Sequence, residues 1–202
     1  MAVPGTYQVR LNADGKILTQ QFTVEKDPRL DNVTMADLAE QFQLAMQVRD
    51  KTTQANEIVI LIRELKRQMD DRLKSNQDAA LKTALDNFRD KLGAIEEAVY
   101  QVRNRSSQDP LNFPIKLNNK IAALAASVQR GDGKPTAASY TVFKLLSDQL
   151  AAEQAKLDAA LKTDLPAVNK LLTGRNLKEL VPTKIETPAP RTGAQAAPGT
   201  TL

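Results

Sequence analysis

Asp109-Pro-Leu-Asn-Phe-Pro-Ile-Lys-Leu-Asn-Asn-Lys120 is the stretch whose reading decides the fold. Pro110 and Pro114 each push the preceding residue out of the α region, and Pro114 can itself sit in the first turn of a new helix, where its missing N–H costs nothing. A helix must therefore stop before this stretch and another must start within it. On this reading the stretch is a corner between two helical hairpins that close into one antiparallel four-helix bundle spanning residues 34–176.

Upstream of the corner, a helix following the turn Ser75-Asn-Gln-Asp78 has its seam at Leu81, Leu85, Phe88, Leu92, Ile95, Val99 and Val102. The steps alternate between four and three residues, the repeat of helices that wind around a neighbour at a shallow angle. The first helix is longer. From Thr34 to about Lys74 the pattern recurs at Leu38, Phe42, Ala45, Thr52, Ala55, Val59, Ile62, Leu65, Met69 and Leu73, with no Pro or Gly to interrupt it. At 1.5 Å per residue that is a rod of about 60 Å. Thr34 and Asp37 form its capping box.

Downstream, a third helix carries Leu117, Ile121, Leu124 and Val128, with Ala122, Ala123, Ala125 and Ala126 permitting close approach, and Gly131 ends it. Asn112 is expected to cap this helix through its side chain, and one of Asn118 and Asn119 to hydrogen-bond across the bundle. The fourth helix begins near Thr136 and carries Phe143, Leu146, Leu150, Leu157 and Leu161. Pro166 either kinks it or caps a short continuation through Val168, Leu171 and Leu172 to Gly174. Residues 177–202, rich in Pro, Thr and Ala, read as a disordered tail.

Residues 1–27 have a different period. Tyr7, Val9 and Leu11 alternate with polar residues, and after the turn at Asp14-Gly15 a second alternating run places Leu18, Phe22 and Val24 on one face. This predicts a β hairpin. Two strands alone are marginal in water, so the apolar face needs a partner, either further strands upstream of Met1 or the helices themselves. Residues 28–33 are a linker, where Pro28 keeps the strand from running straight into a helix.

Composition narrows the chemistry. The chain has 202 residues, 42% of them hydrophobic and only 4% aromatic, and contains no Cys, His or Trp. Cysteine and histidine nucleophile pairs, zinc sites of those residues and disulfides are excluded. The net charge of +4 does not point to nucleic acid, because basic and acidic residues are interleaved as on solvated helix faces. The longest apolar run in the helices, Ile58-Val-Ile-Leu-Ile62, falls far short of the roughly 20 residues of a membrane span. No signal peptide opens the chain.

A glycosidase pair needs two carboxylates across one cleft, about 5 to 10 Å apart. Glu96-Glu97 and Asp70-Asp71 diverge around their helices, and Asp86 and Asp90 share a face with Lys82, Arg89 and Lys91, which reads as surface pairing. There is no phosphate-cradling glycine loop and no metal-binding run of acids. No catalytic, cofactor-binding or metal residue is assigned. Lys116, Lys120, Arg103 and Arg105 gather near the corner as a small basic patch or as ordinary helix ends. Arg130-Gly-Asp132 spells an integrin-binding tripeptide, and Asn32-Val-Thr34 and Asn104-Arg-Ser106 are glycosylation sequons. A turn and a helix cap account for Arg130-Gly-Asp132 and Thr34.

Two resemblances remain. Pro4-Gly-Thr-Tyr-Gln-Val-Arg-Leu11 resembles the penultimate strand of an immunoglobulin-like or fibronectin type III sandwich, with Lys16 to Glu25 as the last strand. Pro4-Gly-Thr-Tyr7, Asp27-Pro-Arg29, Leu38-Ala-Glu-Gln-Phe42 and Pro110 to Lys120 together resemble the C-terminal region of large bacterial proteins with a sortilin-like β-propeller of BNR repeats, often labelled glycosyl hydrolases. That resemblance implies a propeller and a sandwich upstream, export to the cell envelope or beyond, and a non-catalytic C-terminal module here. The partners it implies are the upstream domains of the same protein, or a second copy. The alternatives are a hydrolase whose active site lies upstream, and a free-standing helical adaptor that dimerises.

Overall fold

Alternation of polar and apolar residues around Asp14-Gly15 produces strands β1 (Gly5–Ala13) and β2 (Lys16–Val24), paired antiparallel from Ala13↔Lys16 to Gly5↔Val24. Asp14 and Gly15 have φ of 51° and 73°, the left-handed pair that a tight hairpin turn requires. The register sets Tyr7 opposite Phe22 and Leu11 opposite Leu18, and the Tyr7 and Phe22 rings stack with centroids 5.8 Å apart. The apolar face is nevertheless bare, with Val9 53%, Leu11 58% and Leu18 64% exposed. Neither strand packs on a helix, so the hairpin does not fold back onto the rest of the chain.

The computed structural model describes residues 2–76, 78–106 and 108–183. Over these the protein is mainly helical, with α1 (Met35–Ser75), α2 (Ala79–Val99), α3 (Leu117–Val128) and α4 (Ala137–Thr173) following the hairpin. The linker between hairpin and α1 is a fixed elbow. The Lys26 ammonium donates to the carbonyls of Leu30 and Val33, both at 2.9 Å, and Asp27 accepts from the backbone and guanidinium of Arg29.

Local sequence starts three of the helices. Thr34 Oγ1 accepts from the Asp37 N–H while Asp37 accepts from the Thr34 N–H, closing the capping box. Asp78 caps α2 through Leu81 N at 2.7 Å, and Thr136 caps α4 through Ser139 N at 3.2 Å. Each such cap contributes about 1 kcal/mol. α3 begins differently. Its N-terminal flank is Lys116, with no side-chain cap. Asn112 ends a single 3-10 turn over Asp109–Leu111 instead of capping α3, and Asn118 Oδ1 accepts from the neighbouring Asn119 N–H, not across the molecule. Pro114 stands ahead of the helix rather than in its first turn.

Two further expectations shift. Val102 lies beyond the end of α2 and is 38% exposed. Ala122, Ala123 and Ala126 face solvent and only Ala125 packs against the core, so α3 is not approached closely on its alanine side. α4 runs unbroken through Pro166 to Thr173, although that proline offers no N–H to the carbonyl four residues earlier.

The corner also plays a different part from the one expected of it. Asp70 of α1 pairs with Arg89 of α2, Glu96 of α2 with Arg63 and Lys66 of α1, and Gln41 of α1 reaches the far end of α3. Thus α2 and α3 run in succession back along α1. The same succession lies along α4, from Asp78–Arg175 through Lys91–Asp164 to the place where Ala98 of α2 and Leu117 of α3 both line one groove with Gln149 and Ala152. The four helices form three rods, not two hairpins side by side: α1, a middle rod broken between α2 and α3, and α4. Lengths agree, since α1 has 41 residues and α4 37 against 21 and 12 for the two pieces.

A broken rod leaves main-chain groups that need partners. Gln101, 5% exposed, donates to the Pro114 carbonyl at 2.8 Å and accepts from Arg103 N, spanning the corner. Asp109 ties the corner's own loop by accepting from Arg105 N and from the backbone and hydroxyl of Ser106. At the other end of α3, Gln41 Nε2 donates to the carbonyls of Val128 and Gly131 at 2.7 and 2.8 Å. Gly131 has φ 73°, which glycine adopts without steric cost.

The boundary expected at residue 176 moves to about residue 181. Leu180 is 1% exposed and Leu177 packs against the same core, and Val181 is bonded to Gln68, so residues 177–181 belong to the folded body, while Pro182 and Thr183 are exposed. The tail expected beyond them lies outside the described residues.

Leu92 and Phe88 are fully buried in the α2 seam. Leu92→Asp or Phe88→Asp is expected to remove more than about 4 kcal/mol of stability, because it strands a charge in an apolar core. Phe22→Asp, on the open face of the hairpin, should move the helical melting transition by no more than about 0.5 kcal/mol. Thermal melts followed at the helical circular-dichroism band check both, and an unshifted Leu92→Asp melt would overturn the seam assignment.

Candidate functional site

Helical spacing sends the paired acids in different directions, as expected. Asp71 pairs along its own helix with Arg67 and Lys74, while Asp70 reaches across to Arg89. Asp86 is held by Lys82 at 2.5 Å. Arg89 and Lys91, read as partners for acids on their own helix, instead bridge to α1 and α4. Glu64 is held down to about 2 by its hydrogen bonds from Arg67 and Gln68. Every one of these carboxylates is committed to a cation. Among the described residues no three carboxylates gather to hold a metal ion.

Glu96 departs from the pattern. It turns into the α1–α2 interface, 5% exposed, where Arg63 Nε donates at 2.7 Å and Lys66 Nζ at 2.8 Å. The Arg63 guanidinium also lies over the Tyr100 ring, 4.6 Å from its centroid. Gly93 lies beside the cluster, where a Cβ would come within 3.4 Å of Lys66 Nζ, an ordinary contact. Burial pushes the Glu96 carboxyl up, but the bonds from Lys66 and Arg63 outweigh it and hold the group below its ordinary value. A carboxylate pinned between two cations is a poor proton acceptor, so this cluster serves as an interhelical lock.

A groove of about 430 Å³ lies between α2 and α4. Ala94, Ile95, Ala98, Ala159 and Ala160 floor it, and the ion pairs Lys91–Asp164 and Glu153–Lys156 stand at its edges. It offers apolar contact and no unpaired acid for proton transfer. Near the corner, Lys116 and Lys120 border one groove together, whereas Arg103 turns to the Phe113 ring at 5.9 Å. The Arg130-Gly131-Asp132 turn is fastened to α1 through Gln41.

The residues that organise the molecule were not singled out from sequence: Gln41, Gln68, Gln101, Asn169 and Arg72. The signal for two of them was present. Gln41 falls three residues after Leu38 and Gln68 three after Leu65, polar groups at core spacing.

Glu96→Gln is expected to cost about 1–3 kcal/mol at neutral pH, since it leaves two cations without their shared charge. The folded carboxyl lies below its unfolded value, so the contribution of its ionised form is complete above about pH 4.3. It fades as the pH falls through the folded value. Urea melts from pH 7 to pH 3 should therefore show the two proteins converging on the acid side, and a constant gap would refute the lock.

Comparison with protein-family models, with curated proteins and with solved structures finds no match to this chain.

Proposed function

We propose that the chain is a non-catalytic structural and interaction module. Its helical body carries a β hairpin that joins a larger β structure lying outside the residues described. The observation that carries this reading is the bare apolar face of the hairpin, formed by Val9, Leu11, Leu18 and Phe22. One face of the ribbon is apolar apart from Gln20, and the other bears Thr6, Gln8, Arg10, Thr19 and Gln21 with Ile17 near the turn, the division expected of a strand pair at the surface of a sandwich. The elbow at Lys26 to Val33 holds this ribbon off the helices, as a joint between two domains would.

The sandwich is taken to be immunoglobulin-like or fibronectin type III-like, with the hairpin as its last two strands, and to follow a sortilin-like β-propeller in an exported bacterial protein. The support for those finer statements is the resemblance of Pro4 to Leu11 and of Pro110 to Lys120. The helical body then acts as a spacer or packing partner of the upstream domains. Any glycosidic chemistry of the parent resides upstream, because Glu64, Asp70, Asp71, Asp86 and Glu96 are each engaged by a cation and the α2–α4 groove offers only Glu153 and Asp164, which are cation-paired too.

Antiserum raised against residues 34–173, used to blot cell and envelope fractions, measures the native product directly. A band much larger than 22.2 kDa, enriched in the envelope fraction, is expected. A single band at 22.2 kDa would overturn the larger-protein reading and favour a dimerising adaptor.

A further inference from the structure

Residues 177–181 do not simply end the fold; they lie across it as a bound peptide would. Pro182 biases Val181 toward extended backbone, and in an extended chain successive residues turn their N–H and C=O groups to opposite sides. Leu180 turns its pair toward α4, where Asn169 Oδ1 accepts from the Leu180 N–H at 2.8 Å and Asn169 Nδ2 donates to its carbonyl at 3.0 Å. Val181 turns its pair toward α1, where Gln68 Oε1 accepts from the Val181 N–H at 2.9 Å and Gln68 Nε2 donates to its carbonyl at 3.0 Å. Two side-chain amides thus do what two neighbouring strands would do for the same dipeptide.

The rest of the segment is read just as simply. Arg72 Nε donates to the Lys178 carbonyl at 2.7 Å. Leu180 is buried in the core at 1% exposure and Leu177 packs beside it, while Val181 stays 58% exposed. The contacts therefore specify an extended main chain and leucines three residues apart, and little else. Gln68 is itself 8% exposed and sits between Leu65 and Met69 on the core side of α1. A buried amide there is costly without partners; Glu64 Oε1 accepts from Gln68 Nε2 at 3.1 Å, and the main chain of the strap supplies the rest, including the donor to Oε1.

We infer that the groove between the C-terminal halves of α1 and α4 is a peptide-binding site, whose ligand is an extended segment bearing Leu-x-x-Leu-Val. Residues 177–181 fill it in cis, and the same segment supplied in trans, as from a second copy of this chain, takes their place once they are displaced. Recognition of this kind combines main-chain hydrogen bonds for affinity with one side-chain pocket for selectivity. The tethered strap outcompetes a free peptide because a short tether gives it a high effective concentration.

Two measurements on the full chain test this. In amide hydrogen exchange, Leu180 and Val181 are expected to be protected, and Gln68→Met should lower protection at Val181 at least tenfold while Ile62 in the core of α1 keeps its own. In fluorescence anisotropy, a labelled peptide of residues 175–183 should bind saturably to a full chain carrying Leu180→Asp, whose strap is expelled. It should bind at least tenfold more weakly to the unsubstituted chain, and Gln68→Met added to Leu180→Asp should abolish binding. Equal binding to both chains, equal binding of a peptide with its leucines moved, or no binding to a Leu180→Asp chain with intact helical circular dichroism would each overturn the proposal. If that variant loses its helical signal, the exchange experiment decides, since unprotected Leu180 and Val181 amides in the unsubstituted chain overturn it on their own.

Discussion

A buried main-chain group must find a hydrogen-bond partner, and such groups arise where non-helical chain meets the core, at the break in the middle rod and after α4. The molecule meets that demand with side-chain amides. Gln101 holds the corner, Gln41 the end of α3, and Gln68 with Asn169 the strap after α4. Three of the four buried polar side chains among the described residues are these glutamines, and the fourth is Glu96. Each sits where apolar packing alone would leave donors or acceptors unsatisfied, so each fixes where a rod ends as well as which rods touch.

The same logic explains why α3 exists as a helix. Twelve residues are marginal for a helix in water, and this one has no N-terminal side-chain cap. Leu117, Ile121, Leu124 and Val128 bury its one apolar stripe against the long helices, and Gln41 takes the carbonyls that its own C-terminus leaves open. Packing, not local propensity, holds it. By contrast α1, α2 and α4 carry their own caps at Thr34, Asp78 and Thr136.

Charge follows the rods in the same way. Ion pairs that remain within one helix, such as Lys82–Asp86 and Lys144–Asp148, are exposed and contribute little. Those between helices set register: Arg89–Asp70 and Glu96 with Arg63 and Lys66 fix α2 on α1, and Lys91–Asp164 and Arg175–Asp78 fix it on α4. The hairpin takes no part in this network. Its stability within the chain rests on the Asp14-Gly15 turn and the Tyr7–Phe22 contact, which is why its open face, and not the helical body, carries the proposal of a larger assembly.

The sequence by itself determined what depends on neighbours along the chain. The hairpin and its register follow from period-two alternation and a turn of two left-handed residues. The helices follow from three- and four-residue spacing, the Thr34–Asp37 box, the prolines at 110 and 114, and Gly131. Leu81 to Val99 was legible as a seam because packing on a neighbour at a shallow angle imposes a repeat that the sequence keeps. Only the tertiary structure decided how the rods are arranged. Proline stops a helix but does not state the direction in which the chain leaves, so the same corner suits a reversal between hairpins or a break within one rod. The burial of Gln41, Gln68 and Glu96 likewise depended on partners 30 or more residues away. The strap read as tail because an extended segment bound through its main chain leaves no periodic trace in its side chains.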